Sequence, residues 1–238
     1  MGVNQQIIEA SASVEKVLAD CSQLATKDLA PLVQGFRTAR GLAHLRQALT
    51  DEVMRVVMDL QGSKLGFLSD KTYPIEVVRE SVVEAMMLGL RPTGNEFNII
   101  AGNCYAAKNG LLRLVREFPG LTNLYMTPGV AELRGNMALQ PMRAQWLLNG
   151  EPWTMVRDKS EDADTRFMIR VNSGMGPDAI VGKAERKMAA AIYTRLTGLE
   201  VGEGDATEAV NTVGHDVTPP APPEQDGRRI RMGKGAEN

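Results

Sequence analysis

The sequence predicts an α+β fold, with a helical N-terminal part, a small antiparallel sheet with a strand-strand-strand-helix core, and a disordered C-terminal tail. Apolar residues recur at helical spacing through residues 1–90, and over 95–198 short alternating segments precede one long helical pattern. From about Glu200 the chain is rich in Gly, Pro and acids and has few residues that could form a core. We therefore expect ordered chain over 1–198 and disorder over 199–238.

Four helices are predicted in the N-terminal part. Apolar spacing indicates helices over 7–24 and 29–43. A third helix follows Thr50, a favourable N-cap, and a fourth begins at Pro74 and is closed by Gly89. Residues 62–73 between them are predicted to be a loop.

Two hairpins and a third strand are predicted next. The first hairpin pairs 96–100 with 104–107 and leads into a helix over 109–118. The second pairs 142–148 with 152–158 around Asn149-Gly150, a strong hairpin turn sequence.

The third strand and the final helix complete the predicted core. Over 165–171 the strand places Phe167, Ile169 and Val171 on one face and Arg166, Met168 and Arg170 on the other. The helix begins at Pro177 and ends before Gly198. Its predicted buried stripe consists of Ile180, Val181, Ala184, Met188, Ala191 and Ile192.

The overall charge hides an uneven distribution. The net charge is −2, but residues 199–226 contain seven acids and no Lys or Arg, so the rest of the chain carries +5. The last residues of the tail turn basic, from Arg228 to Lys234. This tail is a solubilising segment, a docking segment, or a mimic of DNA that competes with DNA for the basic body.

Several classes of protein find no support in the sequence. No apolar run is long enough for a membrane span, and the two cysteines and two histidines form no metal-ligand pattern, so we expect a cytoplasmic protein. Gly233-Lys234-Gly235 lacks the remainder of a phosphate-binding loop, and no GxSxG nucleophile motif occurs. We predict that the protein is not an enzyme and uses no cofactor and no metal.

Basic residues are the strongest functional feature. They fall in three groups on successive predicted elements, and such groups can neutralise consecutive phosphates of a nucleic acid. The candidate contacts are Lys183, Arg186, Lys187 and Arg195 on the long helix, Arg166 and Arg170 on the strand before it, and Lys108, Arg113 and Arg116 on the helix after the first hairpin.

Aromatic residues are interleaved with these elements and could stack on bases. Phe97 and Trp146 are expected in the core, while Trp153 and Tyr105 remain candidates. Tyr105 is the preferred one, because it lies next to Lys108 in the chain.

Two stretches resemble single-strand DNA annealing proteins of the RecT/Redβ-like superfamily of phage recombinases. Residues 78–114 read VRESVVEAMMLGLRPTGNEFNIIAGNCYAAKNGLLRL and resemble the RecT core, in which a helix ends in Gly-Leu-x-Pro before a hairpin and a Gly-Leu helix. Residues 178–198 read DAIVGKAERKMAAAIYTRLTG and resemble the basic helix that closes that core. The strand-strand-strand-helix order between Met142 and Thr197 also suits this superfamily, so the resemblance, with the elements between, extends over residues 78–198, about half of the chain.

The resemblance implies ATP-independent binding of single-stranded DNA and annealing of complementary strands in phage-type homologous recombination. It also implies a homo-oligomer, as a ring or helical filament, that works in a bacterial host cell beside a phage exonuclease and the host single-strand-binding protein. Lys183, Arg186 and Lys187 would then contact the DNA backbone, with the other basic groups lining the same groove.

Two alternatives remain open. The first is a non-enzymatic phage interaction or regulatory protein that binds duplex DNA or protein. The second is an enzyme, such as a nuclease, in which Glu84, Glu96 and Asp178 hold a metal ion.

Overall fold

Three helices make up most of the first part of the described chain. The computed structural model describes residues 31–201, with side chains from residue 39 onward, and before them only Gln5, Glu9, Ala12 and Lys16. Helix α1 spans Pro31–Ala48, α2 spans Asp51–Met58 and α3 spans Ile75–Met87. These bounds confirm three of the four predicted helices. Of the helix expected over 7–24 only Glu9, Ala12 and Lys16 are described, and the tail beyond 201 lies outside the described residues.

The first sheet lies beside α3. Strand β1 (Leu68–Ser69) pairs in parallel with β2 (Phe97–Ile100), which pairs antiparallel with β3 (Asn103–Ala106). The two residues that connect β2 to β3 both have positive φ, as a tight hairpin turn requires. Helix α4 (Lys108–Arg116) follows at once. The predicted hairpin and helix are confirmed, and β1 is a short strand inside the segment predicted to be a loop.

The other six strands form two more sheets, in the orders β4-β7-β8 and β5-β6-β9. Their bounds are β4 Leu121–Pro128, β5 Glu132–Arg134, β6 Met137–Gln140, β7 Met142–Leu148, β8 Glu151–Arg157 and β9 Phe167–Arg170. Only Pro141 separates β6 from β7, and its missing N–H and fixed φ interrupt the ladder there. The two sheets are thus the two halves of one bent three-stranded meander.

The chain order of three strands predicted over 142–171 is confirmed as β7, β8 and β9, and the structure adds how these strands pair. The Asn149-Gly150 hairpin is confirmed as β7 and β8, with Trp146 directly opposite Trp153. However, β9 pairs with β6 and not with β8. The partner strand lies in 121–140, where the sequence predicted no element. The alternation of β9 is confirmed, because Ile169 is buried while Met168 and Arg170 are exposed.

Helix α5 (Pro177–Thr197) packs on the meander and on α4. Its buried side chains are Ile180, Ala184, Met188, Ala189, Ala190, Ile192 and Tyr193. The predicted stripe was right in part: Val181 and Ala191 are only half-buried, whereas Ala189, Ala190 and Tyr193 are buried as well. A helix held between a sheet and a second helix is covered on more than one side. The core continues to Val201, which is 7% exposed. Within 31–201, none of the helices is long and apolar enough to cross a bilayer.

Candidate nucleic-acid interface

Lys183 and Lys187 lie along strand β9. Helix α5 begins with Pro at its first turn and ends at Gly198, which has a φ of 74°. The helix runs back beside β9, as two lysine contacts show. The Lys183 Nζ donates to the Arg170 carbonyl at 3.4 Å, and the Lys187 Nζ donates to the Met168 carbonyl at 3.1 Å. We call Arg170, Lys183 and Lys187 the β9–α5 strip.

The chemistry of these contacts matters for the charge of the strip. A carbonyl oxygen is neutral, so it orients an ammonium group without cancelling its charge, and an ammonium has three donors. Among residues 39–201, neither Lys187 nor Arg170 forms an ion pair. The strip can therefore offer at least two uncompensated cations to an anionic ligand.

Arg186 points to a different part of the molecule. Its Nε donates at 2.8 Å to the Ala106 carbonyl, at the end of β3. Beside it, the Lys108 Nζ forms a 3.0 Å ion pair with Glu185. The helix flank that the sequence predicted as one group is therefore divided, with Lys183 and Lys187 facing β9 and Arg186 facing the start of α4.

Arg113 is held in a structural ion pair. Its side chain is 18% exposed and contacts Glu96, 7% exposed, at 2.5 Å, and it also reaches Glu117 at 2.7 Å. Burial raises the pKa of Glu96, but the hydrogen bonds from Arg113 and from the Arg91 N–H outweigh it, so the net shift is downward. With two carboxylates around it, Arg113 has little capacity left for a phosphate.

Arg166 is similarly enclosed. Its guanidinium is 6% exposed and lies between Asp164 at 2.6 Å and Glu132 at 2.8 Å. The hydrogen bonds from Arg166 lower the pKa of Asp164 to about 2, and those from Arg134 and Arg166 lower the pKa of Glu132 to about 2. The predicted face with Arg170 is real, but only Arg170 remains open to a ligand.

Two other candidates lie apart from the strip. Arg116 is exposed in the last turn of α4 and forms no ion pair among the described residues. Tyr105 is half-buried on β3, opposite Asn98 in the first sheet. Tyr105 thus belongs to the first sheet and not to the meander that carries the strip.

Arg195 lies at the other end of α5, over an aromatic ring. Its guanidinium carbon is 5.1 Å from the centroid of the Trp153 ring, and the Trp146 and Trp153 rings are near-parallel at 6.4 Å. Trp146 is 2% exposed and Phe97 is fully buried, so both are core residues as predicted, whereas Trp153 is 37% exposed.

The carboxylates of the metal-enzyme alternative do not meet. Glu96 is engaged with Arg113, Glu84 lies on α3 and Asp178 lies in the first turn of α5. Burial raises the pKa of Glu84 and, with a smaller contribution from the Glu84 charge, raises the pKa of Cys104 to about 12. Across 31–201, no three His, Cys, Asp or Glu side chains gather as a metal site would need.

Comparison of the chain with known protein families, curated proteins and solved structures finds no match. The functional argument therefore depends on the residues themselves. Sequence reasoning found the cations but not their acidic partners, because Glu96 and Glu132 lie 17 and 34 residues away from Arg113 and Arg166. Only the ion pairs of Arg166 with Asp164 and of Arg113 with Glu117 were close enough in the chain to be suspected.

Proposed function

We propose that the protein binds single-stranded DNA along the β9–α5 strip and anneals complementary strands without ATP. The observation that carries the proposal is the pair Lys187 and Arg170, two cations on adjacent elements whose charge no acid within residues 39–201 neutralises. From 166 to 198 the chain has six basic and two acidic residues. The resemblance to RecT-type proteins supports the same function.

The mechanism needs only positioning. Contacts to phosphates hold a strand and leave its bases free to test a second strand, so base pairing supplies the specificity. Cations between two strands also reduce the repulsion between their phosphates. A few weak contacts in each subunit, repeated in an oligomer, would give avidity without a tight grip at any one point. We propose that this oligomer is a ring or a filament of identical chains.

A direct test is annealing of complementary fluorescent oligonucleotides by the full-length protein without nucleotide. We expect faster annealing than in buffer alone and a preference for single strands over duplex of the same length. A strict need for ATP, or equal binding to duplex, would contradict the proposal. Sedimentation with and without the oligonucleotide tests for the oligomer.

A second candidate function is a protein-interaction module. The outward face of the β4-β7-β8 sheet exposes Tyr125 at 67% and Val156 at 52%. Apolar side chains on an open sheet face are typical of protein contacts. A chain with no affinity for single-stranded DNA that still binds a protein partner through this face would favour this function.

A further inference from the structure

Trp153 differs from the other aromatic residues of the described chain in both exposure and position. It lies on β8, an edge strand of its sheet, on the face shared with Trp146. Its ring is 37% exposed and lies 5.1 Å from the Arg195 guanidinium. Tyr125 is more exposed but occupies the opposite face of the same sheet, since it pairs with Gln145.

The helix connects this ring to the β9–α5 strip. Residues 183, 187, 191 and 195 follow each other at four-residue spacing, so Lys183, Lys187 and Arg195 lie along one row of α5. The row is about 18 Å long, from 1.5 Å of rise per residue. A bound strand of several nucleotides would be long enough to follow it from the strip to Trp153.

The contact with Arg195 indicates what the ring can bind. A guanidinium is flat and cationic, and it stacks on the face of an indole. A nucleobase is also flat and stacks on the same kind of surface, whatever its identity. If a base took the place of the guanidinium, Arg195 would be released toward the adjoining phosphate.

We propose that Trp153 and Arg195 form a base-stacking site at the end of the cationic row, in which Trp153 stacks on a nucleobase of single-stranded DNA and Arg195 binds its phosphate. This proposal rests on the proposed function and identifies the part of that interface that contacts bases. It also replaces Tyr105 as the candidate stacking residue, because Tyr105 belongs to a different sheet.

Intrinsic fluorescence gives the first test, since the chain has two tryptophans and one of them is buried. Titration of the full-length protein with an oligothymidylate should quench its emission. The Trp153→Phe variant should bind the same oligonucleotide with little quenching, which assigns the response to Trp153. Unchanged emission of the unaltered protein at saturation would overturn the stacking site.

The second test separates bases from phosphates. Trp153→Leu keeps apolar bulk but has no ring, and we expect about tenfold weaker binding to oligothymidylate. Binding to an abasic oligonucleotide with the same number of phosphates should not change. The slope of log affinity against log salt should also be unchanged, because stacking releases no counterions. Tyr125→Leu, on the outward face, is the matched control and should bind both ligands normally.

The outcomes distinguish this site from the proposed function. If the unaltered protein binds neither oligonucleotide, the proposed function and the stacking site both fail. If it binds, but a Trp153→Leu variant with normal circular dichroism keeps full affinity, only the stacking site fails. Equal losses for both ligands would likewise overturn it, because they would indicate a structural or oligomer-interface role for Trp153. If Trp153→Leu does not fold, the fluorescence titration decides alone.

Discussion

Two regions of the molecule hold basic residues in opposite electrostatic settings. One is the β9–α5 strip, and the other is the Arg113 junction, which consists of Arg113, Glu96 and Glu117. At the junction, Arg113 is 18% exposed and contacts two carboxylates, Glu96 and Glu117. In the strip, Lys187 donates to a backbone carbonyl and has no acidic partner among residues 39–201, and Arg170 is exposed. The first arrangement cancels a charge and stabilises the fold, whereas the second leaves charge available to a ligand.

The difference shows that a count of basic residues does not identify a binding surface. Arg113, Arg166 and Lys108 have the side chains that a phosphate site needs, but each has an acidic partner. What decides the role of a cation is whether its charge is already compensated and whether a ligand can reach it. Mutations should therefore separate stability from DNA affinity in the two regions.

The largest expected effect is on stability at the junction. Arg113→Ala leaves Glu96 nearly buried without its cation, and loss of one partner of such a pair costs about 3 kcal/mol. Urea denaturation should show this loss of stability. The affinity of the folded fraction for single-stranded DNA should stay within about twofold of the affinity of the unaltered protein, well below the tenfold change that corresponds to 1.4 kcal/mol. Normal stability with weakened DNA binding would instead make Arg113 a DNA contact.

The second effect concerns pH. The pKa of Glu96 is lowered in the folded protein, so its contribution is complete above the unfolded pKa and is lost as the pH falls through the folded pKa. Glu96→Gln should be about 2 kcal/mol less stable than the unaltered protein at pH 7, since hydrogen bonds to a charged group are lost. This difference in the free energy of unfolding should narrow as the pH falls below the ordinary glutamate pKa of about 4.3, where Glu96 of the unfolded chain begins to protonate, and it should disappear once the pH is below the lowered pKa of folded Glu96. If this difference in the free energy of unfolding did not depend on pH, the charge of Glu96 would not be what stabilises the junction.

A smaller effect is expected at the Lys108–Glu185 ion pair, where the substitution leaves a cation without its acidic partner. Lys108 and Glu185 form a pair that is 41% and 29% exposed, so Glu185→Gln should change stability by only about 0.5 kcal/mol. It would, however, remove the acid that compensates Lys108. We expect affinity for single-stranded DNA to rise and the salt slope to steepen by about 0.7. Unchanged binding would place Lys108 outside the DNA path.

Much of the fold could be predicted from periodicity and turn residues. Thr50 and Pro74 each predict the start of a helix, and Asn149-Gly150 predicts a hairpin turn. The structure has a helix or a hairpin at each of these places. The strands between 121 and 140 were missed because their exposure does not alternate regularly, and β5 is exposed throughout. The partner of β9 could not be found for the same reason.

The candidate site was predictable only in part. Spacing along α5 identified Lys183 and Lys187, and alternation along β9 identified Arg170. The division of Arg186 from that group depends on α4 packing beside α5, which is a tertiary contact. Likewise, Trp153 is exposed and Trp146 is buried because β8 is an edge strand. No local pattern in the sequence predicts this difference.

The most direct measurement is the salt dependence of DNA binding by the double variant Arg170→Ala, Lys187→Ala. If each residue neutralises one phosphate, the slope of log affinity against log salt should flatten by about 1.4, and affinity near 0.1 M salt should fall about 25-fold. Arg55→Ala, Arg143→Ala removes the same charge from exposed positions elsewhere and should change the slope little. A folded double variant of the strip with the slope and affinity of the unaltered protein would contradict the account.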